Sequence, residues 1–344
     1  VTHALFVETD ATSGNQILSY LRGADGTISF AGKYATGGLG GVASGATADP
    51  LASQDGLLLT SNGQVLVATN AGSNTLSVFS VQGTTLQLEQ RISSFGQFPV
   101  SLSAHGKYVA VLNSGGAGSV TEYSLDGVKL HPVTGQIRSL GLSNTNPPVF
   151  TAGPGEIAYS PDGTRLVISD KHSNDSFSVF SVSTKGVLGT SPVVTAAANA
   201  VPFSFVFDAH GNIVDTEASN SSVNTYGFNN DGSLAAIGSA ADGQKALCWI
   251  SSARGFYFGS NAGSANVSSF TVSPSGVVTL VNASAASTHT GTTDSVSSAD
   301  GHFLYVESGG VGALDVFAVG SDGSLSPVQT TWNIPAASEG LAIS

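Results

Sequence analysis

One motif recurs along the whole chain, and its spacing constrains the fold more than any other feature. Six segments join a glycine turn to an apolar strand that closes on a small polar residue: SNGQVLVATN, AHGKYVAVLN, PDGTRLVISD, AHGNIVDTE, ARGFYFGSN and ADGHFLYVES. Their glycines, Gly63, Gly106, Gly163, Gly211, Gly255 and Gly301, are 43, 57, 48, 44 and 46 residues apart. A four-stranded propeller blade needs about 40–50 residues. Each segment is followed by a second alternating strand and turn, as in NTLSVFSVQGTTL and GALDVFAVGSDGSL, which is the pattern of antiparallel strands joined by hairpins. A seventh copy, NQILSYLRGADGTI at residues 15–28, is preceded by HALFVETD.

A further short strand stands before each glycine turn, as in GLLLTS, VSLSA, EIAYSP, FSFVFDA and DSVSSA, but the first repeat has none. The missing piece is at the other end, where EGLAIS (residues 339–344) has that pattern. The sequence therefore predicts an all-β, seven-bladed β-propeller with four-stranded antiparallel blades, a single domain over residues 1–344. Its ring is closed by the C-terminal strand joining the N-terminal blade, which removes open sheet edges. Composition agrees: there are 43 glycines, only 10% charged residues, and no sustained apolar period of 3.6.

The formal net charge of -12 reflects scarcity of cations, 11 Lys plus Arg against 23 Asp plus Glu, with no acidic block. A mostly neutral, hydroxyl-rich surface is expected, and nucleic acid is not an expected partner. No apolar run approaches the roughly eighteen residues of a membrane helix, so no membrane association is expected. The chain contains no methionine, so Val1 is not expected to be a translation start, and a processed or trimmed secreted protein is the expectation. Sequons at Asn174, Asn220, Asn266 and Asn282 are candidate glycosylation sites. They are about as many as chance supplies in a chain so rich in Ser and Thr. Cys248 is the only cysteine, which excludes an internal disulfide. A monomer is expected.

With strands named A to D from the axis outward, the D-to-A and B-to-C loops share one face, here called the top. His3, His105, His210 and His302 fall in turns on the other face and His131 at the periphery, leaving His172 and His289 for the top. The B strands end there in Asp10, Asn70, Asn113, Asp170, Glu217, Asn261 and Glu307-Ser308. These could ring the channel mouth as ligand-binding groups, or they could simply bond their own turns, as short polar residues do. Glutamate gains little from turn geometry, so Glu217 is a candidate general acid or base whose pKa burial would raise. The A-strand entrances add Asp55, Asp294 and Glu339. His289 and Asp294 leave one loop five residues apart and could form an acid-base pair or a structural one. SDKHSND offers Asp170, Lys171 and His172 as binding groups or as a solvated loop. The spacing of His, Asp and Glu matches no diagnostic metal motif, and no cofactor-binding loop precedes a helix, so neither metal nor cofactor is expected. Calcium at a carboxylate-lined mouth has no specific support. In GQKALCWI, the register places Ala246 to Ile250 in the innermost strand of blade 6. Cys248 is read there as part of the wall rather than as a nucleophile.

Segments such as SPDGTRLVISD, ADGHFLYVES, FPVSLSAHGKYVAVLNSGG and PFSFVFDAHGNIVDTEAS resemble the lactonase family of seven-bladed propellers. That family includes 6-phosphogluconolactonase and the fungal 3-carboxy-cis,cis-muconate lactonizing enzyme, and the resemblance covers essentially the whole chain. It implies a catalytic histidine at the position of Gly155, arginines at those of Phe203 and Thr293, and a glutamate at Glu217, and of these only Glu217 is retained. With those cations absent, the expected substrate is neutral rather than phosphorylated or tricarboxylate.

Two functions follow as expectations. One is lactone hydrolysis or lactonization, with Glu217 as acid or base, His289 or His172 in place of the missing histidine, Asp294 as partner, and Lys171 or Lys245 steadying the oxyanion. The other is noncatalytic extracellular binding of a carbohydrate or small molecule. Phe203, Phe205 and Trp249 would then stack, while Gln244, Asn113, Asn261, Glu339 and Asp170 would hydrogen bond.

Overall fold

The computed structural model describes residues 3–60, 62–199 and 201–344; Val1, and with it the expectation about the chain start, lies outside them. Seven four-stranded antiparallel sheets stand around one axis. Blade 1 is built from both chain ends: its A strand is Leu341–Ile343, followed outward by Ala4–Glu8, Gln16–Arg22 and Ile28–Ala35. The seam is in antiparallel register, with Leu5 opposite Ile343, Phe6 opposite Ala342 and Val7 opposite Leu341. Blades 2 to 7 follow in chain order, with A strands beginning at Leu57, Pro99, Pro154, Pro202, Leu247 and Thr292. The split first blade and the closed ring are as the repeats predict. Blade 6 starts one residue later than expected, because Ala246 adopts a left-handed φ of 56° and ends the loop before it.

The B strands are buried along their length on both faces, as in VLVATN and RLVISD. Each sheet is clamped between two neighbours, so both faces need apolar side chains, unlike the one-sided alternation of a sheet facing water. Blades 1 and 7 meet through Leu5, Val7, Leu18, Tyr20, Tyr305, Leu314 and Val316. Blades 3 and 4 meet through Val100, Leu112, Ile157, Leu166 and Ile168. Full burial of each such side chain is worth about 1.5–3 kcal/mol. Outer strands such as ISFAGKYA expose every second side chain or more. The glycine turns face the bottom; at Gly163 (φ 67°) a Cβ would strike the His105 ring, so only glycine fits that turn.

The top-face connections between blades differ in length. Residues 94–98, 242–246 and 288–291 make short links, whereas residues 36–56, between blades 1 and 2, make a long one.

Candidate functional site

The long connection crosses the channel. Ser53 Oγ donates to Val100 O of blade 3 (2.9 Å), and Gln54 N donates to Gly155 O of blade 4 (3.1 Å). The Trp249 indole of blade 6 donates to Ser53 O (2.7 Å), and Ile250 N donates to the Gln54 side chain (3.0 Å). On the blade 7 side, the Ala48 carbonyl lies so close to Gly309 that a Cβ there would be 2.3 Å from it. A segment bonded to inner strands on different sides of a ring must lie across its axis, so residues 49–54 form a plug, and all six are buried. Asp49 holds the plug's own shape: its carboxylate accepts from the amides of Leu51 (2.9 Å), Ala52 (2.7 Å) and Ser53 (3.1 Å).

Lys171 lies against the plug. It is buried, donates Nζ to Ala52 O, and sits 4.8 Å from the centre of the Phe203 ring. Phe203 packs edge-on against Trp249 at 4.7 Å, with Cys248 in the same cluster. Burial pulls the Lys171 ammonium down to about 8, against the opposing pull of Asp49, Cys248, Asp170 and Glu339. Asp170, next in sequence, is buried with both carboxylate oxygens free of partners. Burial raises it to about 7, partly offset by Lys171. An acid and a base poised near neutrality thus adjoin an aromatic wall.

Carboxylates line the rest of the channel. Glu8, Asp10, Asp49, Glu156, Asp215, Asp294, Glu307 and Glu339 are all buried. Burial raises each of them first, and repulsion from neighbouring carboxylates raises most of them further. Glu307 and Glu339 have no partner on either oxygen. Among the described residues, no three His, Cys, Asp or Glu side chains converge as metal ligands.

The expected site residues fall in separate places. Lys171, Phe203 and Trp249 are buried against the plug, Asp294 and Glu339 are buried facing Asp49, and Asp170 is buried beside Lys171, so none of the six lies at an open mouth. Glu217 is buried and raised by burial, and it accepts a hydrogen bond from the Tyr226 hydroxyl. Asn199 and Ala198, in the link from blade 4 to blade 5, also bond it. His289 does not pair with Asp294. Its Nδ1 is 3.0 Å from Asp315 Oδ2 on the C strand of blade 7, and its ring meets the exposed Trp332 at 4.5 Å. Asp294 instead accepts from Leu341 N at 2.9 Å and Ser295 N at 2.7 Å. His172 is exposed and 3.2 Å from Asp175, and Lys245 is exposed beside Gln244 on the rim of blade 6. Asn113 and Asn261 spend their amide hydrogens on their own blades, Asn113 on Ser94 O and Ser119, Asn261 on Asn266 and Ser268. Burial lifts the Cys248 thiol to about 12, which suits a wall residue.

One glycosylation candidate is corrected: Asn266 is buried in a strand, with its amide donating to Gln244 and Ser284, so it presents nothing to a glycosylating enzyme. Asn174, Asn220 and Asn282 are exposed. Sequence reasoning also missed the plug, although the extra length of residues 36–56 was its signal. It missed Asp215 too, which stands in mid-strand where the equivalent residues are Ala68, Val111, Ile168, Gly259 and Val306.

Fold and channel together define a seven-bladed propeller with a plugged, carboxylate-lined axis. The family model for "Lactonase, 7-bladed beta-propeller" matches residues 42–129 and 120–250, and the chain belongs to that family. Among solved structures it is similar to the periplasmic gluconolactonase PpgL of Pseudomonas aeruginosa, at 21% identity and a TM-score of 0.76, covering 100% of this chain and 99% of that one. It is similar also to a Bacteroides fragilis protein provisionally assigned as a 6-phosphogluconolactonase, at 17% identity and a TM-score of 0.77, covering 100% and 98%. No curated protein matches the sequence. The position that the resemblance gave to a histidine cannot hold one here, since a Cβ on Gly155 would lie 2.2 Å from Phe203 O and the plug bonds the Gly155 carbonyl.

Proposed function

We propose that the protein hydrolyses an uncharged lactone at Asp170 and Lys171 in the plugged channel, in an extracellular setting. The observation that carries this reading is the buried Lys171 ammonium beside a carboxylate with two free oxygens. Asp170 takes a proton from water, the hydroxide adds to the lactone carbonyl, and Lys171 Nζ stabilises the oxyanion. Collapse then breaks the ring C–O bond, and the proton passes to the leaving alkoxide, giving a hydroxy acid. A channel lined with carboxylates favours a neutral substrate and repels the anionic product, which favours opening over lactonization. Three of the four sequons are exposed, which is compatible with that setting, and a monomer is part of the same reading.

A panel of neutral lactones followed under pH control tests this. Lys171→Met and Asp170→Asn should each lower kcat/KM by about 100-fold or more. Glu217→Gln should cost less than about tenfold, because its carboxyl is tied to Tyr226. A loss in Glu217→Gln equal to that in Asp170→Asn would move the base to Glu217. The plugged channel favours a second reading, noncatalytic binding of a neutral small molecule or carbohydrate. No turnover of any lactone would leave that reading in place of the first.

A further inference from the structure

The plug carries backbone strain that its contacts must hold. Ala52 and Asp55, which flank its tip, adopt left-handed φ values of 55° and 63°. Such values strain a residue with a Cβ, and the strain persists only where surrounding contacts enforce it. Those contacts are the hydrogen bonds of Ser53, Gln54, Trp249 and Ile250, the bonds from Lys171 to Ala52 O and from Leu102 N to Asp55 O (2.8 Å), and the packing of Leu51 between blades 3 and 4. Facing Asp49 of the plug are Asp10 of blade 1, Asp294 and Glu307 of blade 7, and Glu339 before the closing strand. Lys171 and Cys248 face it from blades 4 and 6. Glu8 adjoins Asp10, Asp170 adjoins Lys171, and Asp55 at the plug's end shares a hydrogen bond with Glu156. Lys171 is thus the one cation among many carboxyl groups.

We propose that residues 49–54 are a displaceable plug, seated while the channel carboxyls are protonated and released as they ionise. Protonated, these carboxyls can share hydrogen bonds and do not repel one another. Ionised, they repel Asp49 and each other in a medium of low dielectric, where like charges interact strongly. The directions of titration agree: burial raises Asp49 and Asp55 to about 6, and it raises Asp294, Glu307 and Glu339 as well. Lys171 then loses its compensating charge near 8. Release would open the axis from the top and lift Leu51 off the cluster between blades 3 and 4, where Val100, Leu112, Ile157 and Ile168 of the blades remain packed.

The chain supplies its own reporter. Its tryptophans are Trp249, which donates to the plug, and the exposed Trp332, so Trp332→Phe leaves a single tryptophan against the plug. Acrylamide quenching of that variant should rise at least threefold between pH 5 and pH 8, reversibly, while far-UV circular dichroism stays constant. Hydrogen exchange should quicken in residues 49–54 and not in the Arg165–Asp170 strand. Adding Glu339→Gln should move the transition to higher pH, and adding Ala52→Gly, which relieves the left-handed strain, should reduce quenching at pH 8. Equal quenching at both pH values would overturn the proposal. So would a rise that coincides with loss of the circular dichroism signal, because the channel would then open only by unfolding. Neither readout depends on lactone turnover.

Discussion

Deletion of Gly340–Ser344 is expected to destabilise the ring severely. The deletion removes the A strand of blade 1 and its register with Leu5, Phe6 and Val7. It also removes the bonds of Glu8 N to Gly340 O (2.9 Å), Ser344 N to Ala4 O (3.0 Å) and Ala4 N to Ser344 Oγ (2.8 Å). Leu341 and Ala342 leave the core, and the strand Ala4–Glu8, buried along its whole length, becomes an open edge lined with apolar side chains. An unpaired apolar edge invites association between chains. Thermal denaturation should show a melting temperature lowered by more than about 10 °C, with aggregation, a shift corresponding to several kcal/mol in a chain of this size. An unchanged melting curve would mean that blades 2 to 7 hold the ring without the seam.

The second large effect is on stability against pH. The channel acids have folded pKa values above their unfolded ones, because burial disfavours the charged form. A group raised in this way contributes stability that is fully present below the unfolded value, near 4, and is lost as pH rises through the folded value. For Asp49 and Asp55 the loss centres on about 6 and for Asp170 on about 7, and Asp294, Glu307 and Glu339, also raised by burial, add to it in the same direction. Lys171 acts oppositely, since its lowered value makes the buried ammonium costly below about 8, but it is one group against many. At about 1.4 kcal/mol per pKa unit, even part of this set contributes several kcal/mol. The melting temperature should therefore be higher at pH 5 than at pH 8, on the order of 10 °C. A maximum at or above pH 8 would show that the carboxyls are not buried in this way.

The architecture was legible in the sequence because each blade repeats the same local chemistry: a glycine that must adopt positive φ, an apolar strand, and a polar terminus. The site was not, and the reasons are physical. The repeats locate Glu217 at a strand end but do not say which way its carboxyl turns, and Tyr226, nine residues later, is what holds it. Nearness in sequence suggested His289 with Asp294, whereas the strand alternation sends Asp294 to the axis and leaves His289 to Asp315 across the blade. Lys171 gave the same signal as the exposed His172 beside it. Only the plug, a segment more than a hundred residues away in the chain, makes that lysine buried. Such long-range closure leaves no local periodicity to read.

The buried channel also changes what the net charge of -12 means. Of the 23 acidic residues fourteen are buried, whereas of the 11 lysines and arginines only Lys171 is. The remaining nine acids are matched by ten cations, so the outside of the molecule is close to electroneutral although the composition is strongly acidic. The sequence isoelectric point of 4.7 then describes the unfolded chain better than the folded particle. Burial holds eleven of the fourteen above the ordinary carboxyl range, so at pH 5 the folded particle carries fewer negative charges than the unfolded chain, and retention on an anion exchanger at that pH would rise when the ring comes apart.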